Sequence, residues 1–455
     1  MQELITVILA TDEGARMKST VTKVAHQVCG QSLLAYVSTA VTQAGTDSLV
    51  LVTDDRANVE NLLSNDTPIV VQQKLGQGHA VFQTKDILYD KKGTVLILYG
   101  DMPLMTGDTL KAAYECHLMQ GNQITLLTSD MDDPFGCDRI MRDQAGQVTT
   151  IVGHEAADDE QRLIREINSG VYFFNIEALL GVLSQIDDTD QKKCSLTDIT
   201  KKMIANNQKA GAYKAKDPAE MMRVDDRMQL AQAESILLKR IIEKHMKNGV
   251  TFHLPETCMV HADVQIGKDT VIHPGTQLTG HTIIGEECQV GPYSRIEDGV
   301  LGNGVGFANS VMTQSQIGDN TEVGPFAYIR PGSKIGKNIK LGDFVEIKNS
   351  NIGDNTKISH LTYIGDADVG KNVNFGCGTV IVNYDGKKKH RTVVGDHAFV
   401  GCNVNLVSPV VIKDYAYIAA GSTITDEVPE YALAIARSRQ TVIEDWVRKK
   451  GLDKK

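Results

Sequence analysis

Tryptophan occurs once in this 455-residue chain, as Trp446, and aromatic residues together make up only 5% of it. So few large rings exclude a core built on aromatic packing and leave aliphatic side chains to form it. Positive charge is also short. Lys and Arg number 47 against 57 Asp and Glu, which gives a formal charge of −10 and a pI near 5.7. That balance argues against a general nucleic-acid binder. The one dense basic run, Lys387-Lys388-Lys389-His390-Arg391, is local. No apolar stretch approaches the length of a membrane span. Ile5 to Ala10 is too short for the apolar region of a signal peptide and has no basic stretch before it. The eight cysteines show neither CxxC nor Cys/His metal spacing. They read as scattered free thiols of a cytoplasmic protein. The expectation is a cytoplasmic protein that uses neither nucleic acid nor membrane.

What the chain does have is glycine, 40 residues of it, and a period of six. Val260, Ile266, Ile272, Leu278, Ile284, Val290 and Ile296 follow at intervals of six. The phase slips, resumes from Ile317 through Val323, Ile329, Ile335 and Leu341 to Ile347, slips again, and ends with Val394 to Ile424. Glycine often follows the aliphatic residue, as in Ile266-Gly267 and Val400-Gly401. Helices do not repeat in sixes; short strands with a tight corner every six residues do. Each aliphatic residue then points inward, and successive coils stack at about 4.8 Å. A fully buried aliphatic contributes about 1.5–3 kcal/mol, so this column is what holds the stack.

The first half has a different rhythm. Leu4 to Ala10 reads as a buried strand running into the polar loop Thr11 to Lys18. A helix is expected near 32–44, strands at Ser48–Val52, Ile69–Val71 and Thr94–Tyr99, and helical segments at about 78–88 and 106–119. Strands alternating with helices indicate a mostly parallel sheet. Ligands of such sheets bind beyond the carboxyl ends of the strands, which points to the first loop and to Gly100-Asp101. Apolar residues at helical spacing between Asp226 and Asn248 suit a linking helix. The expected organisation is an α/β domain over 1–225, a linker helix over 226–250, and a repeat domain over 251–455 with a charged tail.

The repeat breaks most visibly at Val382 to Arg391, an insert between coils. A loop leaving a rigid stack is a good platform for a site. Arg330, Lys348, His360 and Tyr363 lie on neighbouring coils. Arg and Lys offer charge-assisted bonds to a phosphate, and a His can take a proton from an attacking amine. His360 is expected to face out. Spacing alone leaves two readings open: an anion-binding transfer site, or solvated charges around a structural histidine.

Five segments carry a resemblance: Gly324-Pro-Phe-Ala-Tyr-Ile-Arg-Pro-Gly332, Phe344-Val-Glu-Ile-Lys348, His360-Leu-Thr-Tyr-Ile-Gly-Asp366, Asn383-Tyr-Asp-Gly386 and Ala434-Ile-Ala-Arg437. With them the whole chain resembles the bifunctional N-acetylglucosamine-1-phosphate uridylyltransferase/glucosamine-1-phosphate N-acetyltransferase family of bacterial cell-wall precursor synthesis. The resemblance implies a nucleotide-diphospho-sugar transferase-like, Rossmann-like α/β domain followed by a left-handed parallel β-helix, in a homotrimer with acetyltransferase sites between subunits. It implies that Arg330, Lys348, Tyr363, Asn374 and Lys389 hold glucosamine 1-phosphate, with Glu346 near the amine and His360 as general base. Cys377, Asn383, Tyr384, Cys402, Ala420 and Arg437 fall at acetyl-CoA positions. The family usually has Ala and Ser where this chain has Cys377 and Cys402, and a thiol beside a thioester leaves open a covalent relay.

For the first domain the resemblance implies that Leu9, Ala10, Thr11, Asp12, Arg16, Lys23, Gln72, Gly76, Gln77, Tyr99, Gly100, Asp101, Asp138, Gly153, Asn168 and Asp225 surround UTP and N-acetylglucosamine 1-phosphate. Asp101 and Asp225 would be the Mg²⁺ ligands. Several positions depart from the family pattern. Asp12 stands for Gly, Ala15 for Thr, Thr22 for Pro, Gln77 for Thr, Asp138 for Gly, Gly153 for Glu, and Asp225 for Asn. An acidic side chain beside a nucleotide carries the wrong charge, and its Cβ restricts the turn. Three functions therefore stand at this point. One is acetyl transfer to glucosamine 1-phosphate followed by uridylyl transfer from UTP. The others are acetyl transfer alone over an eroded nucleotide site, and a non-catalytic sugar-nucleotide-binding trimeric scaffold.

Overall fold

The computed structural model describes residues 3–11, 14–57, 59–63, 67–72, 77–186 and 194–453. The chain divides into two compact units, Met1–Leu237 and Leu238–Lys455, and the dividing point falls inside the helix Arg227–Lys247.

The first unit is a twisted sheet built around β1 (Glu3–Ala10), whose residues from Leu4 onward are all buried. Such a continuous apolar run is what a parallel strand covered on both faces requires. Added in chain order are β2 (Ser48–Thr53), β3 (Ile69–Val71), β4 (Gly93–Tyr99), β5 (Ile124–Asp130), β6 (Arg139–Arg142), β7 (Val148–Val152), β8 (Glu166–Asn175) and β9 (Ala210–Lys214). Across the sheet the order is β9-β5-β8-β4-β1-β2-β3, with β6 and β7 as a hairpin joined to β8. The expected parallel strands are present: Ile5 lies opposite both Ser48 and Val95. In the main path of the sheet β8 runs the other way, antiparallel to β4 and β5. The helix over Leu33–Gln43 starts where the Ser32 hydroxyl accepts from the Ala35 N–H at 3.1 Å. That over Gly107–Gln120 runs from a Thr106 cap to Gly121 at φ 57°. The expected helical segment at 78–88 is two pieces, Gln77–Phe82 and Lys85–Leu88. Between them the Thr84 hydroxyl donates to the Val81 carbonyl at 2.7 Å, a local bond that turns the chain.

The second unit is the β-helix that the sixes predict, left-handed and built of three parallel sheets with 11, 10 and 9 strands. The inward column is intact through both slips. Ile296, Leu301, Phe307, Met312 and Ile317 are all buried, so the first slip consists of sides that are five residues long instead of six. Ile347 to Ile352 and Ile364 to Val369 shorten in the same way. One missing corner residue shifts the phase without losing a coil. Asparagine takes many of the left-handed corners, among them Asn320, Asn338, Asn355 and Asn403 at φ 53–60°. Buried hydroxyls tie the coils together. Thr270 Oγ1 donates to the Gly285 carbonyl at 2.8 Å and accepts from the Cys288 N–H at 3.0 Å, which satisfies a polar group the core could not otherwise hold. Beyond Ile424 the tail adds one more strand, Leu433–Ala434, on Tyr417–Ile418.

The insert leaves after the strand Val380–Val382 and returns at Thr392. Asp385 closes it, accepting from the Lys387 and Lys388 N–H groups and contacting His390 Nε2, each at 2.7 Å. Arg391 anchors its return on Asp368 at 2.5 and 2.6 Å.

Candidate functional sites

In the first unit the chemistry gathers at the carboxyl ends of β1 and β4. Leu9 and Ala10 end β1 inside the core, and Gly100 follows β4. A Cβ on Gly100 would come within 3.2 Å of Val24, so the chain packs closely at this point. Asp101 comes next and is buried. Its Oδ2 meets Lys23 Nζ at 2.5 Å, and the same ammonium contacts Asp225 Oδ1 at 2.9 Å. Arg16 approaches Asp225 Oδ2 at 2.8 Å. The structure thus brings four of the expected residues, Arg16, Lys23, Asp101 and Asp225, into one network. Burial works to raise the Asp225 carboxyl, but the hydrogen bond from Lys23 and the charges of Lys23, Arg223 and Arg16 outweigh it and hold it below the ordinary carboxylate range.

Sequence reading missed Arg223. Its guanidinium grips Asp101 at 2.8 and 3.2 Å and lies 4.1 Å above the Tyr99 ring. Burial alone would lower it, yet Asp101 overcomes that and raises it above the usual Arg value. The only signal in the sequence is a basic residue two positions before Asp225. Beside the network opens a cavity of about 830 Å³, lined among others by Arg16, Tyr99, Asp138, Asn168, Arg223 and Asp225. Asn168 is held by its amide donating to the Tyr172 hydroxyl at 2.7 Å and by its N–H on the Asp138 carbonyl at 2.9 Å. Gly153 lies beside Asp138, and a Cβ on it would still be 3.7 Å from Asp138 Oδ1. Gly170 turns beneath Tyr99 at φ 80°, where a Cβ would stand 2.6 Å from the ring. Gln72 is buried, its side-chain amide donating to Asp54 Oδ1 and its Oε1 meeting His79 Nδ1, each at 2.9 Å. Thr11 is half-buried just past β1. Asp12 and Gly76 lie outside the described residues, as does the Gln77 side chain.

In the second unit Arg330, Glu346, Lys348 and Tyr363 occupy the outer face of one sheet. Strand alternation places Ile329, Ile347 and Ile364 inward, so Tyr328 and Arg330, Glu346 and Lys348, and Tyr363 and Gly365 face out on three successive coils. Arg330 Nη1 pairs with Glu346 Oε1 at 2.8 Å, which raises the guanidinium further above its ordinary value. Lys348 is held below the usual lysine value, first by its contact with Lys389 from the insert and then by burial. Two ammonium groups face each other there, with Asp366 3.8 Å from Lys348. Asp366 is itself buried and accepts from the Asn349 and Asn383 amides at 2.6 Å. Gly365 is required: a Cβ on it would lie 2.4 Å from the Tyr363 hydroxyl and 2.7 Å from Asn383 Nδ2.

His360 is exposed, as expected, because the chain turns at Leu361 (φ 44°) before alternation can carry it inward. Its Nδ1 meets Asp343 Oδ1 at 2.7 Å, leaving Nε2 facing out. Asp343 is the second residue that sequence reading missed, and it lies one coil, 17 residues, earlier in register. The register continues. Ile358 pairs with Phe375 and Phe375 with Val400, so counting on two residues places Cys377 beside His360 and Cys402 beside Cys377. A Cβ on Gly401 would lie 2.6 Å from the Ala420 N, which puts Ala420 next in the column. Arg437 is exposed and reaches the Gly421 corner. Asn374 sits on the neighbouring sheet opposite Lys357, and Tyr384 is exposed on the insert with its hydroxyl on the Gly386 carbonyl. Among the described residues no hydrogen bond or ion pair is recorded between His360 and Arg330, Lys348 or Lys389.

Comparison with known proteins covers both units. A family model described as a MobA-like NTP transferase domain matches residues 6–168. One described as bacterial transferase hexapeptide, six repeats, matches 314–349 and 391–426. The chain is 52% identical over 455 residues to the bifunctional protein GlmU of Acetivibrio thermocellus, covering 99% of each. It is 49% identical over 453 residues to that of Caldanaerobacter subterraneus and 48% identical over 453 to that of Clostridium botulinum, again covering 99% of each chain.

Proposed function

The chain belongs to the family of the bifunctional protein GlmU, and from that membership we propose that it makes UDP-N-acetylglucosamine by two transfers at two separate sites. Acetyl-CoA first acetylates glucosamine 1-phosphate. UTP then transfers its uridylyl group to N-acetylglucosamine 1-phosphate, and pyrophosphate leaves.

The observation that carries the acetyl half is the pairing of an anion-seeking cluster with an oriented histidine along one face. Arg330, Lys348 and Lys389 crowd positive charge where a sugar phosphate would relieve the repulsion. His360 lies at the entry corner of that face and Lys348 on its outer strand. A glucosamine 1-phosphate laid along the face has its phosphate at the lysines and its amine toward His360. Asp343 accepts from Nδ1–H, so Nε2 carries the lone pair that takes the amine proton as nitrogen attacks the thioester carbonyl. The coenzyme A thiolate leaves. The corner column Cys377, Cys402 and Ala420 continues from His360 and suits the coenzyme arm. A neighbouring subunit would complete this face, as the homotrimer implied by the repeats requires. Direct attack by the amine needs no relay through Cys377.

In the first unit Lys23 and Arg16 face the nucleotide phosphates, and Asn168 faces the sugar. Asp101 and Asp225 already converge on one cation, the Lys23 ammonium, so their oxygens fit a hard divalent ion. Mg²⁺ bound there would neutralise phosphate charge and orient the reacting oxygens. Asp225 supplies an oxygen donor for such an ion. The sugar phosphate attacks the α-phosphorus of UTP in line with the departing pyrophosphate, while Lys23 and Arg16 hold the triphosphate. This geometry favours two active sites over a non-catalytic scaffold or a lone acetyltransferase. Among the described residues no helix is long and apolar enough to cross a membrane.

The test separates the sites. Asp101→Asn should abolish uridylyl transfer and spare acetyl transfer, while His360→Ala should do the reverse. Loss of both activities in either variant would contradict two independent sites.

A further inference from the structure

Eight cysteines are present, all free. Two of them, Cys377 and Cys402, stand on adjacent coils at the same corner of the β-helix. The register is fixed on both sides of the corner: Phe375 pairs with Val400 before it, and Val380 with Asn405 after it. At the corner itself the Asn403 N–H donates to the Cys377 carbonyl at 2.8 Å. The residue after each cysteine takes the same left-handed conformation, Gly378 at φ 76° and Asn403 at φ 53°. The two Cα–Cβ bonds are therefore carried in the same sense on neighbouring coils. In-register coils lie about 4.8 Å apart, inside the 4.4–6.8 Å range over which two Cα atoms accept a disulfide. Cys402 is exposed and Cys377 half-buried, whereas Cys29, Cys258 and Cys288 are buried. Among the described residues no other two cysteines face each other across adjacent coils.

We propose that Cys377 and Cys402 are a thiol-modification site: a peroxide, or a small disulfide such as oxidised glutathione, converts them to an intramolecular disulfide. With peroxide, one thiolate attacks an oxygen and the O–O bond breaks, and the second thiolate then attacks the resulting sulfenic sulfur and displaces its hydroxyl as water; with a small disulfide, the first thiolate displaces one thiol to give a mixed disulfide and the second displaces the other. Two thiols are oxidised, and one peroxide is reduced to two waters. Both sulfurs lie in the column that begins at His360 and ends at Ala420. On the acetyltransferase reading given above, the closed disulfide reshapes the corner that receives the thioester and stops acetyl transfer until a reductant reopens it.

The experiment exposes the full-length protein to hydrogen peroxide without acetyl-CoA. Intact mass and peptide mapping are read, and acetyl transfer is assayed before and after dithiothreitol. The expected result is a loss of two hydrogen masses, a linked peptide pair holding Cys377 and Cys402, and loss of acetyl transfer that dithiothreitol reverses. Cys402→Ser and Cys377→Ala should each show neither the mass loss nor the reversible inhibition, each compared with its own untreated form. Oxygen adducts on separate cysteines without a cross-link would overturn the proposal, as would a cross-linked protein that acetylates at the reduced rate. If the reduced protein transfers no acetyl group, the acetyltransferase reading fails, while the linked peptide still decides whether the thiols pair.

Discussion

Replacing Lys23 with Met should weaken the first unit measurably while leaving the second untouched. The Lys23 side chain is 1% exposed and joins two carboxylates, at 2.5 Å to Asp101 and 2.9 Å to Asp225. At an effective dielectric constant of about 20, a charge pair 2.9 Å apart attracts by about 6 kcal/mol before desolvation is counted. Taking an ammonium out of water cancels much of that. Deleting one partner of a buried pair costs about 3–5 kcal/mol when the other charge is left alone. Neither carboxylate is left alone, because Arg223 remains on Asp101 and Arg16 on Asp225. The expected loss is therefore smaller, about 2–3 kcal/mol, the order of a single charge-assisted hydrogen bond. Urea unfolding followed by far-ultraviolet circular dichroism reads it. Most described helix belongs to the first unit, so the helical signal reports on that unit, while the β-helix unfolds in its own transition. A change in the helical midpoint worth less than about 0.5 kcal/mol would refute the reasoning, since surface substitutions alone do that much. Uridylyl transfer should fall in the same variant and acetyl transfer should not.

Three further outcomes follow from the same structure. His360→Ala should reduce acetyl transfer by about 10²–10⁴-fold, and Asp343→Asn by less, with uridylyl transfer unchanged in both; steady-state assays of the two half-reactions check it. Because the folded Asp225 carboxyl lies below its ordinary value, its contribution is present above about pH 4 and is lost as pH falls through the lowered folded value. Acid titration of the helical signal should show this for the parent and less of it for Lys23→Met. Ile347→Ala, in the inward column between Ile329 and Ile364, should cost the β-helix about 2–5 kcal/mol, read from the midpoint of the non-helical transition.

Much of the fold is legible in the sequence because it rests on short-range periodicity. Sixes of aliphatic residues have no helical interpretation, and the buried column from Val260 to Ile424 follows them. The slips look like faults in the sequence. They are five-residue sides, visible only when Leu301, Phe307 and Met312 are seen stacked inward. In the first unit the strands up to Tyr99 declare themselves as apolar runs. The antiparallel strand Glu166–Asn175 does not, because direction is set by pairing partners far away in sequence. The same limit governs the sites. His360 and Lys348 are recognisable from their motifs, but Asp343 acts through coil stacking 17 residues away. Arg223 reaches Asp101 across 122 residues of chain. The pairing of Cys377 with Cys402 likewise depends on an insert that lengthens one coil to 25 residues without disturbing the register, as the Gly376 N–H on the Val400 carbonyl at 2.7 Å attests.

The most direct measurement supplies the purified chain with glucosamine 1-phosphate, acetyl-CoA, UTP and Mg²⁺ and follows products by mass spectrometry. Two sites on one chain predict N-acetylglucosamine 1-phosphate appearing first and UDP-N-acetylglucosamine accumulating after it, with pyrophosphate. Accumulation of N-acetylglucosamine 1-phosphate alone would contradict the account of the first unit, and no acetylated sugar at all would contradict that of the second.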